Sequence, residues 1–67
     1  IMADREALIA RKQAVRSEIE RTRRELSLLR APEQTGASTK RKAHLEYQLD
    51  RLMGEDYQLR LAIDRAH

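Results

Sequence analysis

The 67 residues include 14 Lys or Arg and 11 Asp or Glu, for a formal net charge of +3. A chain this short forms one small unit that buries only a modest share of its unfolded surface. There is no Cys, Phe or Trp and there are two Tyr. That excludes a disulfide framework, a thiolate metal site and a cysteine nucleophile, and leaves the core to aliphatic side chains. Ala, Leu, Arg, Glu, Lys and Gln dominate while Val, Ile and Thr are too sparse for a sheet, so the chain reads as all-α.

The first segment, about residues 3–31, reads as a helix that Asp4 and Glu6 open and Arg30 closes. In a seven-residue frame Leu8, Val15, Thr22 and Leu29 take d positions and Arg5, Lys12, Ile19 and Leu26 take a positions. This seam is diluted by charge. Ala3, Ala7, Ala10, Ala14 and Ser17 make a small-residue stripe on the outer face, for which helix propensity is a sufficient reason.

Residues 32–38 read as the turn. Pro32 lacks a backbone donor, Gly36 permits φ > 0, and Ser38 or Thr39 can cap the second helix. That second segment, about 39–66, carries the cleaner seam, with Leu45, Leu52, Leu59 and Ala66 at d and Lys42, Leu49, Asp56 and Ile63 at a. Folded back antiparallel, the two seams meet layer by layer where residue numbers total 71. That register pairs Leu26 with Leu45, Ile19 with Leu52 and Leu8 with Ile63, sets Val15 opposite Asp56, and leaves Lys12 one layer from Asp56, close enough to pair. The expected fold is therefore an antiparallel two-helix coiled-coil hairpin, with association into a four-helix bundle as a route to burying a second face.

In shape such a hairpin is similar to the antiparallel coiled-coil hairpins that bind Rho GTPases. The stretch Gly36-Ala37-Ser38-Thr39-Lys40-Arg41-Lys42 is loosely like turns of that family. The likeness is one of architecture and carries no function with it.

Catalysis needs a pocket with convergent titratable groups, which two helices do not supply, so the chain is not expected to be an enzyme. The two histidines, His44 and His67, stand at opposite ends of the second helix, so neither a metal nor a cofactor site is expected. Two surface features remain. Tyr47, Tyr57 and Leu61 lie on the side of the second helix away from the first, with Gly54 among them. A mid-helix glycine costs about 1 kcal/mol, so this row points to close approach of another chain. At the turn end, Lys40, Arg41 and Lys42 fall in the expected first turn of the second helix, where the dipole favours anions, and Arg30 adds to them.

The leading expectation is a protein-protein interaction or oligomerisation module of a larger cytoplasmic scaffold, regulatory or cytoskeletal protein, since the chain opens Ile1-Met2 and no apolar run approaches the ~20 residues of a bilayer span. The rival is a basic tip (Arg30, Lys40, Arg41, Lys42) that binds nucleic acid, anionic lipid or an acidic protein surface.

Overall fold

The computed structural model describes residues 4–29 and 35–66, and within them the chain is two antiparallel α-helices, α1 (Arg5–Leu28) and α2 (Gly36–Arg65). At 1.5 Å per residue, their 24 and 30 residues run about 36 and 45 Å. The hairpin measures 50 × 16 × 14 Å.

Both helices start on side-chain caps. Asp4 holds extended backbone and its Oδ1 accepts from the Glu6 N–H at 3.2 Å, with Glu6 adding an acid to the first turn. At α2 the cap is Thr35. Its Oγ1 accepts from the Ser38 N–H at 3.1 Å, while Ser38 Oγ accepts from the Thr35 N–H at 2.8 Å, a reciprocal capping box.

This cap corrects the expected start of the second helix, which lies at Gly36 and not at 39. Ser38 acts from the third helical position, and Thr39 donates back to the Thr35 carbonyl at 3.0 Å. Gly36 is the first helical residue, and no described glycine has positive φ, so its left-handed freedom is not used. The first turn of α2 is uncharged Gly36, Ala37, Ser38 and Thr39, which moves Lys40, Arg41 and Lys42 into the second turn. There the field of the helix end is weaker, and the expected clash of three cations with the dipole is removed. Helix α1 ends earlier than expected, at Leu28 with Leu29 as its cap, and has no cation in its last turn. Arg30, Pro32 and His67 lie outside the described residues.

The core is thin. Of the described residues only Val15, Ile19, Thr22, Leu45 and Leu52 are buried, all at expected seam positions. Val15, Ile19 and Leu52 form one cluster, with Leu49 and Leu59 packed on it. Thr22, 2% exposed, satisfies its hydroxyl on its own helix by donating to the Glu18 carbonyl at 2.8 Å.

Ion pairs brace the seam and its flanks. Three ion pairs cross between the helices: Arg11–Glu55 at 2.7 Å, Lys12–Asp56 at 3.6 Å and Arg41–Glu25 at 2.6 Å. Lys12–Asp56 is the pair expected one layer apart on the seam, while Arg11–Glu55 and Arg41–Glu25 join positions that flank it.

Candidate interaction surface

The outward face of α2 is set by its heptad. Tyr47, Gly54 and Leu61 are spaced seven apart and so share one ridge, which drifts only about 20° per repeat. On this ridge Tyr47 is 62% exposed, Gly54 is exposed and Leu61 is half-buried. A Cβ added to Gly54 would meet nothing within 4 Å, so the hairpin itself gives no packing reason for glycine there.

Tyr57 is off that ridge. It faces a groove of about 360 Å³ on one flank, while Tyr47 borders a separate groove of about 480 Å³ on the other. The structure thus divides the three expected contact residues between the ridge and two flanks.

The Tyr47 flank is electrostatically self-contained. The Arg51 guanidinium lies 6.0 Å from the centre of the Tyr47 ring, within cation–π range. Glu55 receives two hydrogen bonds from Arg11, at 2.7 Å from Nε and 3.1 Å from Nη2. These bonds, with the charges of Arg11 and Arg51, hold the Glu55 carboxyl below its ordinary range against a smaller opposing desolvation. The Arg11 guanidinium is correspondingly raised, first by its hydrogen bond to Glu55 and then by that carboxylate's charge. Glu18 borders the same groove.

The Tyr57 flank carries arginine. Arg16, Arg23 and Arg60 border it around Ile19, Met53 and Tyr57. Met53 and Tyr57 are 46% and 54% exposed. The heptad frame puts Met53 at the seam edge and does not bring out this grouping. Its signal lies in the spacing of Arg16 and Arg23, seven apart on α1, and of Met53, Tyr57 and Arg60 at i, i+4 and i+7 on α2.

At the turn end the basic cluster is partly spent. Arg41 is bound by Glu25, while Lys40 and Lys42 are exposed. Beside that pair a cleft of about 190 Å³ is bordered by Leu28, Leu29 and Leu45, with Leu28 80% exposed.

No protein-family model, curated protein or solved structure matches this chain. Among the described residues no group of three His, Cys, Asp or Glu is placed to hold a metal, and no helix is long and apolar enough to cross a membrane. His44 borders the Tyr47 groove, with no second histidine beside it among the described residues.

Proposed function

We propose that the chain is a non-catalytic interaction or oligomerisation module, which packs the outer ridge of α2 against a helix of another chain or of a second copy. The observation that carries this reading is the exposed ridge, where Tyr47 is 62% exposed, Gly54 has open space at its Cβ position and Leu61 is half-buried. Tyr47, Leu61 and the glycine between them supply the apolar anchors and the close approach that helix-on-helix packing uses. Such a part suits a scaffold or assembly protein.

The test is the solution mass by sedimentation equilibrium, with thermal melts followed by circular dichroism over a hundredfold range of concentration. Association predicts a mass above 7.8 kDa and a Tm that rises with concentration. Tyr47→Ala with Leu61→Ala should return the chain to monomer. A 7.8 kDa monomer with a cooperative, concentration-independent melt near 60 °C would overturn the ridge argument. The basic-tip reading retains Lys40 and Lys42 but loses Arg41 to Glu25, and it ranks second for that reason.

A further inference from the structure

The Tyr57 groove differs from the ridge in chemistry. Its walls are Ile19, Met53 and Tyr57, and its rim is Arg16, Arg23 and Arg60. Arg16 and Arg23 are exposed and, among the described residues, make no ion pair. Arg60 has only a long contact, 3.9 Å, to Asp56 Oδ2. Two acids also border the groove. Asp56 is already engaged by Lys12 at 3.6 Å, which leaves Glu20 against three guanidinium groups.

Guanidinium forks match carboxylates in a bidentate way, and Arg, Tyr and Met are the residue types enriched at interface cores. A second copy placed on this groove about a two-fold axis would bring the same patch against itself, arginine facing arginine. Like charges set against each other across an interface are unfavourable, so self-association through this flank is disfavoured. The complementary occupant is acidic and carries an apolar anchor.

We infer that the groove between α1 and α2 at Arg16, Arg23, Met53, Tyr57 and Arg60 is a docking site for an acidic helical segment of another protein. That segment seats one large apolar side chain between Met53 and Tyr57 and presents Asp or Glu to the three arginines. This surface is distinct from the outer ridge and does not require the ridge to be used.

The probe is a fluorescein-labelled, end-blocked peptide of 18 residues, with glutamates on an alanine background around a central Leu-Phe pair. It is titrated with the full 67-residue chain and read by fluorescence anisotropy at low and moderate salt. Saturable binding that weakens with salt is expected. Arg16→Glu with Arg23→Glu should lower affinity tenfold or more, and Met53→Ala threefold or more. Lys40→Glu with Lys42→Glu, the same change of net charge away from the groove, should lower it less than threefold. Since Arg16 and Arg23 make no ion pair among the described residues, the helical circular dichroism of the first variant should match the parent. If it does not, Arg16→Gln with Arg23→Gln replaces it, with the same loss expected.

Equal losses in the two charge-reversal variants would reduce the effect to bulk charge and overturn the inference. So would absence of binding at millimolar peptide. Vesicles of phosphatidylcholine and phosphatidylserine at 3:1 serve as the lipid arm. If they capture the chain in an Arg16- and Arg23-dependent way while the peptide does not bind, the groove is a membrane-facing surface and the inference falls. None of these outcomes touches the ridge, whose role is read separately from the sedimentation mass.

Discussion

Lys12 and Asp56 sit on the seam between apolar neighbours, each with about one-fifth of its side chain exposed, 21% and 19%. Their 3.6 Å separation is an ion pair but too long for a hydrogen bond, and Asp56 Oδ1 is buried with no hydrogen-bond partner among the described residues. A half-satisfied pair of this kind fixes alignment and adds little stability. Lys12→Leu with Asp56→Leu is therefore expected to raise unfolding free energy by about 1–3 kcal/mol in urea titration. Lys12→Leu alone should destabilise, because it leaves the Asp56 carboxylate on the seam with only the long Arg60 contact. The exposed Arg11–Glu55 pair behaves differently with pH. Glu55 is depressed in the folded chain, so its contribution is present above the ordinary glutamate range near 4.5 and is lost as pH falls through the lower folded value. Acid titration of helical circular dichroism should show the parent holding to lower pH than Arg11→Ala, and coincident curves would remove the pair from the balance.

At the scale of the element, α2 is a well-capped helix with one weak position. The Thr35–Ser38 box satisfies both the Ser38 and the Thr35 N–H. Thr35→Ala should cost about 1 kcal/mol, seen as a lower urea midpoint with unchanged slope. Gly54 lies in the middle of the helix with open space at its Cβ position. Gly54→Ala should stabilise the isolated chain by about 1 kcal/mol, because alanine loses less backbone entropy. The same change should weaken any assembly that brings a helix close to the ridge. A gain in Tm together with a fall in sedimentation mass would locate the contact at Gly54, while a gain with unchanged mass would place it elsewhere.

The whole molecule is an elongated pair of helices with five buried side chains among those described, and of the apolar ones only Val15, at 0%, and Leu45, at 2%, are fully enclosed. Removing one large core side chain, as in Leu52→Ala, is expected to cost about 2–5 kcal/mol. That is comparable to the total stability a domain of this size holds. The expected result is a largely unfolded chain at 25 °C by circular dichroism, rescued only where association buries further surface. A Leu52→Ala variant that retained parental helicity at micromolar concentration would show that the core is not where the hairpin's stability lies.

The apolar repeat at i, i+3 and i+7 was enough to specify two amphipathic helices that pack antiparallel, because each seam must be covered and the turn residues leave room for a reversal. All five buried residues were readable as seam positions, and Asp4 as a cap, since periodicity and capping are local properties of the chain. The Lys12–Asp56 pair was readable too, because it follows from laying one seam against the other. The flanking pairs were not, since which carboxylates Arg11 and Arg41 reach depends on side-chain paths across the gap. The same reason separates Tyr47 from Tyr57. Along α2 they look like one outward row, yet the position of α1 beside it places one in each of two flanking grooves. It also brings Arg16 and Arg23 from one helix against Met53, Tyr57 and Arg60 of the other, a grouping that exists only once the two helices are side by side.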